Sequence, residues 1–429
     1  MIIKSILDTD LYCFSCSYAL MKNYPESEGT WSFIDRGGVK FSREFVNELK
    51  IELASLSSLK LKEEEFEWVC NKIKYIPKFY WQWLKGFRFN PNYFIINYNE
   101  ETGDLKVDFE GPLTELALYD VPFLSIMSEL WQRHNNYSLK FTDFISEVID
   151  PDIELSNKKQ LYFSEFGTRR RYSFYLQEEV VKRFKGKALY FNGTSNVYLA
   201  MKYELTPIGT MSHMIRQVSN AFFGYRMGEY QANEAWINAF DGNLGIALTD
   251  TISSKVFFKN LSRKHALLMS GFRQDSGSEY EYIEIFSTRY KQLGLDPCTK
   301  DLVFSNALTM ETYEPIAAAA VGRCRRCSAG IGGHFVNRDE FRPKFVAKLT
   351  RCRITPREEW INTIKLSDDP GKAMGDKKEI HIAKLTCGLE EEKEENNAST
   401  IIPEELEKHL EAIIDKKINI LRTILRYEK

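Results

Sequence analysis

From Tyr162 onward the chain alternates short apolar runs with helical patterns, and each run ends in glycine, hydroxyl or acidic residues. The runs are LYFSEFG, ALYFNGT, PIGTMSH, GIALTDT at Gly245 to Thr251, MSGFRQDSG at Met269 to Gly277, DLVFSNA at Asp301 to Ala307 and CSAGIGG at Cys327 to Gly333. Helical patterns such as Arg170 to Phe184 and Ser278 to Leu293 follow several of them. This rhythm predicts a parallel sheet with ligand groups at the strand C-termini, and so many polar tips favour an α/β barrel. Three tips combine glycine with hydroxyls or cations: EFGTRRR at Glu165 to Arg171, FNGTSN at Phe191 to Asn196 and PIGTMSH at Pro207 to His213. Such a set suits an anionic substrate.

The flanks read differently. Tyr12 to Met21 predicts a helix, Trp31 to Gly38 a strand, and Arg43 to Trp83 a helical stretch broken at Pro77. Asn92 to Asn99 and Leu105 to Gly111 alternate with period two around turn residues, as a hairpin does. A long apolar helix is expected from Leu113 to about Arg133, bent near Pro122. Towards the end, FVAKL and ITPREEWINTIKLSDDPGK read as strands and a turn, Glu390 to Asn397 as a solvated charge run and Pro403 to Tyr427 as an amphipathic helix. At 429 residues two or three domains are expected. The division expected is an α+β domain over 1–112, a helical connection over 113–160, the barrel over 161–343 and a segment over 344–429 returning to the α+β domain.

Formal net charge is −2, so no overall basic field recruits nucleic acid, and phosphate groups must be bound locally. The N-terminal stretch lacks signal-peptide character and no apolar run approaches ~20 residues, so a cytoplasmic protein without a membrane span is expected. The eight cysteines have no disulfide-scaffold spacing. The pairs Cys13/Cys16 and Cys324/Cys327 could together hold zinc, but thiols packed in core or surface are the stronger reading.

Several tips suit particular chemistry. The backbone N–H groups of GIGG at Gly330 to Gly333 can cradle a phosphate, although a tight barrel turn explains the same glycines. Asp250 and Asp275 suit ribose hydroxyls or, through water, Mg²⁺; structural caps explain such residues as often. Arg169, Arg170 and Arg171 could hold a carboxylate or a pyrophosphate, against the alternative of solvated first turns of a helix. His213, beside Thr210 and Ser212, is the one histidine of six within a polar tip, which favours a chemical role. His134, His265, His334, His381 and His409 receive none.

In the order LDTDLY, FGTRRR, GTSN, PIGTMSH, GIALTDT, RQDSG, GIGG and LSDDPGK, the chain resembles the nicotinate phosphoribosyltransferases, type II phosphoribosyltransferases that open the Preiss–Handler route to NAD. The resemblance covers nearly the whole chain. It implies an irregular α/β barrel with a flanking α+β domain built from both chain ends. It also implies formation of nicotinate mononucleotide and pyrophosphate from nicotinate and phosphoribosyl pyrophosphate, with coupled ATP hydrolysis and Mg²⁺, in a homodimer with shared sites.

By matched motifs, Phe166 and the partner chain's Tyr12 would clamp the pyridine ring, and Arg169 and Ser195 would face its carboxylate. His213 would be phosphorylated by ATP. Arg273 would touch the sugar phosphate, Asp250 and Asp275 the ribose and Mg²⁺ surroundings, and Gly332 and Gly333 the 5′-phosphate. Asp10, Arg36, Lys365 and Lys372 would reach pyrophosphate or ATP phosphates across the dimer. The chain departs from the family pattern at Asn306 for aspartate, Gln274 for histidine, Ser278 for aspartate and Gly333 for threonine. Two alternatives are a nicotinamide phosphoribosyltransferase and a homologue that binds nucleotide without turnover.

Overall fold

A computed structural model describes residues 1–369, 371–390, 412–415 and 417–418. Two sheets organise it. The first is antiparallel and runs β11-β10-β1-β3-β2, from β1 (Glu28–Asp35), β2 (Phe94–Asn99), β3 (Asp104–Pro112), β10 (Phe345–Arg353) and β11 (Ile361–Asn362). Both flanks of the chain therefore build one sheet, with β1 at its centre paired to β10 and β3. Alternation sets its inner face: Phe345, Ala347 and Leu349 of β10 are buried, whereas Val346, Lys348 and Thr350 are only half-buried. The hairpin β2–β3 forms in the expected place.

The second sheet is parallel, in the order β5-β4-β9-β8-β7-β6, from β4 (Phe163–Glu165), β5 (Phe191–Thr194), β6 (Ile246–Leu248), β7 (Gly271–Gln274), β8 (Asp301–Phe304) and β9 (Arg326–Ile331). Its ladder is open among the described residues: β5 and β6 are edges, and no ladder joins them into a closed barrel. The PIGTMSH run is not a full strand; a single bridge from Pro207 to Thr194 extends the sheet beyond β5. Pro207 has no N–H to donate, which limits that pairing. The mixed α/β class stands as expected.

Helices cover Leu11–Asn23, Arg43–Ser55, Glu63–Lys72 and Lys78–Gly86 in the first part, with Pro77 preceding the last of these. The expected long helix after Leu113 is two, Leu113–Leu116 and Asp120–His134, and Pro122 lies in the first turn of the second, where its missing N–H has no partner to lose. Helices Phe174–Lys187 and Glu279–Gln292 follow β4 and β7. The charge run past Glu390 and the helix expected over Pro403 to Tyr427 lie outside the described residues, except for helical residues 412–415 and 417–418. Among the described residues no helix is long and apolar enough to cross a membrane.

A buried polar network ties the tips of the parallel strands to the N-terminal segment and to helix Asp120–His134. Arg171, fully buried, donates to Asp8 (2.7 and 3.1 Å) and Glu129 (2.7 Å). Glu165 accepts from Thr194, Gln177 and the Gly167 N–H, and Asn196 donates to Asp8. Burial raises the Glu165 carboxyl to about 7, against the lowering effect of the bonds from Thr194 and Gly167. Removing one partner from such a network leaves an uncompensated buried charge. Arg171→Ala is therefore expected to destabilise the fold by about 3–5 kcal/mol in urea unfolding; a loss below 1 kcal/mol would show that water compensates Asp8 and Glu129.

Candidate active site

The loops after the parallel strands face the antiparallel sheet across a cavity. Phe166, Arg169 and Arg170 come from the loop after β4, Ser195 from the tip of β5, Arg273 and Asp275 from β7, Ser305 from β8, and Gly330, Gly332 and Gly333 from β9. From the opposite side come Asp10, Tyr12, Trp31, Asp120 and Lys348. Backbone bonds fix the loops in place: the Phe166 N–H donates to Ile331, the Ser195 N–H to Glu165, and the Leu11 N–H to Ser195. Gly330 is glycine because Phe166 lies on it; a Cβ there would meet the phenyl ring at 2.3 Å.

Around that ring, the Tyr12 hydroxyl donates to Asp120 Oδ2 at 2.6 Å, and the Ser195 hydroxyl to Asp10 Oδ1 at 2.7 Å. Tyr12 thus lines the same chain's cavity as Phe166. Asp10 also stands at this end, bonded to Ser195. Burial raises its carboxyl pKa, opposed by Thr168, Ser195 and Arg169. Because Ser195 spends its proton on Asp10, Arg169 is the cation at this end free to meet a carboxylate.

Four cations enter the cavity without partners. The side chains of Arg169, Arg170, Arg273 and Lys348 make no hydrogen bond or ion pair with another described residue. Burial would lower the Arg169 pKa, but Tyr12, Asp120, Asp275 and Asp10 outweigh it. The Arg170 pKa falls to about 10 through burial and the nearby Arg169 and Arg342. Burial, Lys365 and Arg169 push the Lys348 ammonium down to about 7. Cations crowded in this way demand an anionic ligand.

His213 sits at the start of helix His213–Phe240, 8% exposed. Lys365 Nζ is 2.9 Å from its Nε2, and Thr251 Oγ1 is 3.1 Å from its Nδ1. An ammonium only donates, so Nε2 accepts from it and Nδ1–H donates to Thr251. Burial and Lys365 lower the His213 pKa to about 4, opposed by Asp250 and Asp275. Asp275 Oδ2 is 3.3 Å from the same Nε2, and its other oxygen accepts from Ser305 at 2.7 Å. Burial would raise the Asp275 pKa, but His213, Arg273 and Lys365 carry it well below the carboxylate range.

Five expected residues do not line this cavity. Asp250 and Lys365 lie beneath it: Asp250 is fully buried, accepts from Ser276 at 2.5 Å and stands 3.6 Å from Lys365. Arg36 is exposed and donates to Met374 Sδ, while Lys372 bonds Asn306 (3.3 Å) and Asp369. Asn306, in place of aspartate, thus accepts from a lysine as a neutral group. Two other departures have local reasons. Gln274 Nε2 donates to Ser276 O and Gly277 O, both at 2.8 Å, closing the RQDSG turn, and Ser278 caps the following helix.

Sequence reasoning missed Asp120, Lys348 and Arg342. Asp120 had a signal, a lone acid in the apolar run LALYDVPFL, and Lys348 sits alone among apolar residues in FVAKL. Of the three arginines, Arg171 proves to be structural, though buried and paired and not solvated. Among the described residues only His213, Asp250 and Asp275 bring three candidate metal-ligand atoms together, so the cysteine pairs do not form a zinc site.

Fold and cavity together define a mixed α/β protein with a cation-rich cavity at the carboxyl ends of a parallel sheet. The model of the nicotinate phosphoribosyltransferase family matches residues 161–391, and that of its N-terminal domain residues 7–128. A nicotinate phosphoribosyltransferase of Methanosarcina mazei is 36% identical over 409 residues, spanning 90% of this chain and 98% of that protein. One from Chromohalobacter salexigens is 35% identical over 90% and 99% of the two chains. The crystal structure of nicotinate phosphoribosyltransferase from Porphyromonas gingivalis superposes with a TM-score of 0.87 at 37% identity, covering 90% of this chain and all of that one. The chain belongs to the nicotinate phosphoribosyltransferase family.

Proposed function

We propose that this protein joins nicotinate to phosphoribosyl pyrophosphate, giving nicotinate mononucleotide and pyrophosphate, in NAD biosynthesis by the Preiss–Handler route. The carrying observation is the convergence of Arg169, Arg170, Arg273 and Lys348, all unpaired, on a cavity with Phe166 seated on Gly330. Phe166 and Tyr12 flank the pyridine ring, and Arg169 takes its carboxylate. The ring nitrogen attacks C1 of the ribose as the C1–O bond to pyrophosphate breaks. The sugar gains oxocarbenium character, so the site's task is to hold charge and align the nitrogen. Arg273 and Lys348 stabilise the leaving pyrophosphate, and Asp275 faces the ribose.

The backbone of Gly332 and Gly333 receives the 5′-phosphate, while Lys372, Arg36 and Asn306 form the outer rim towards ATP and ribose. ATP is the co-substrate that phosphorylates His213 at Nε2. The cluster suits Mg²⁺ in part: Asp250 Oδ1 is buried without a hydrogen-bond partner and Asp275 is ionised, two hard oxygens for a cation that would take its other ligands from phosphates. Such an ion would neutralise phosphate charge. We place the reaction in the cytoplasm. A homodimer, as the resemblance implies, would carry two sites. Pyrophosphate release that requires both nicotinate and phosphoribosyl pyrophosphate tests the reading; release independent of the base would reduce the protein to a hydrolase.

A nicotinamide-using variant of the site is separated by Ser195. An aspartate there would face Asp10 and repel a carboxylate. Ser195→Asp is expected to shift the ratio of kcat/KM for nicotinate over nicotinamide by about 10-fold or more towards nicotinamide; an unchanged ratio would remove Ser195 from base selection.

Lys348 supplies a pH signature. With its pKa near 7 it is half charged at neutrality, and a bound polyanion raises that value, so binding takes up protons at pH 8. Affinity for pyrophosphate is expected to fall as pH rises from 6 to 8, and Lys348→Arg to flatten the profile. Calorimetry in buffers of different ionisation enthalpy measures the uptake; equal uptake by both proteins would assign the proton elsewhere.

A further inference from the structure

The glycine turn after β9 is covered by an arginine. A Cβ built on Gly333 would meet Arg342 Nη1 at 2.2 Å, Cδ at 2.6 Å and Cζ at 2.9 Å, so the guanidinium lies directly on the turn. Arg342 lines the cavity, and its ion pair is with Asp339, which is 76% exposed and a weak competitor for its charge. The segment carrying it is anchored. The Phe341 ring stacks on Tyr137 at 4.7 Å and 14°, the Phe341 carbonyl accepts from Gln132 at 3.1 Å, and Arg338 pairs with Glu147. Arg170, with no side-chain partner, stands close enough for the two guanidinium groups to repel each other.

We propose that Arg342, seated on Gly333, is a specificity-determining residue that binds the 5′-phosphate of the phosphoribosyl substrate. A threonine at 333 would offer the phosphate one hydroxyl; the missing side chain lets a guanidinium occupy that space and offer two parallel N–H donors. Glycine at 333 and arginine at 342 are thus one device, and a side chain restored at 333 displaces the arginine. This inference rests on the phosphoribosyl reading of the cavity.

Calorimetric titration of the full chain with ribose 5-phosphate and, separately, with pyrophosphate tests it. Arg342→Ala is expected to weaken ribose 5-phosphate by roughly 10-fold or more while changing pyrophosphate affinity less than about twofold. Arg342→Lys, which keeps the charge but not the fork, falls between. Gly333→Thr gives a similar loss in the parent protein and little further loss in the Arg342→Ala background. Unchanged ribose 5-phosphate affinity in Arg342→Ala, or a loss confined to pyrophosphate, would overturn the proposal. Parent protein that does not bind ribose 5-phosphate would instead contradict the phosphoribosyl reading.

Discussion

His213→Ala is expected to abolish stimulation by ATP and to leave a slow, ATP-independent transfer. The imidazole is prepared as a nucleophile: burial and Lys365 hold its pKa near 4, so it is neutral at physiological pH, and the lone pair sits on Nε2 because Nδ1–H is engaged by Thr251. Lys365, the donor to that lone pair, is equally placed to stabilise an incoming phosphoryl group. None of the four unpaired cavity cations is bonded to His213, so the basal reaction is expected to survive. The ratio of rates with and without ATP drops to about one, whereas loss of a positioned nucleophile commonly costs about 10²-fold or more in the step it serves. On the acid side, protonation removes the lone pair, so in the parent protein ATP stimulation persists through pH 5 and is lost as pH falls through about 4. Equal stimulation of parent and variant would exclude His213 as phosphoryl acceptor.

Arg169→Ala is expected to have the second large effect, on use of the base. Arg169 is the guanidinium beside Tyr12, Asp120 and Asp10, and Ser195 is already committed to Asp10. Truncating one partner of a desolvated charge pair costs about 2–5 kcal/mol, so kcat/KM for nicotinate should fall by roughly 100-fold or more. The KM for phosphoribosyl pyrophosphate should move by less than about threefold, because Arg170, Arg273 and Lys348 remain. A uniform loss for both substrates would place Arg169 at the phosphates.

The strand tips were legible because ligand groups at the ends of apolar runs are a local pattern: Phe166, Arg169, Ser195, His213, Arg273, Asp275, Gly332 and Gly333 all line one cavity. What faces them was harder to read. Lys348 lies on β10, whose pairing with β1 spans more than 300 residues of sequence, and only that pairing brings its half-buried face to the site. Tyr12 was expected to reach the site from a partner chain, and this chain's own Tyr12 lines the cavity; nothing local in LDTDLY fixes which copy's cavity it enters. Which of Arg169, Arg170 and Arg171 is structural was not legible; Arg171's partners Asp8 and Glu129 are distant in sequence and decide its role. Sheet closure depends on ladder geometry at short strands, and PIGTMSH contributes one bridge where a strand was expected.

The central claim is tested most directly by chromatography of the mononucleotides formed from phosphoribosyl pyrophosphate with nicotinate or nicotinamide, each with and without ATP and Mg²⁺. Nicotinate mononucleotide, formed faster with ATP and in excess over nicotinamide mononucleotide, is the result this account predicts. No mononucleotide from either base, despite measurable binding of phosphoribosyl pyrophosphate, would contradict it.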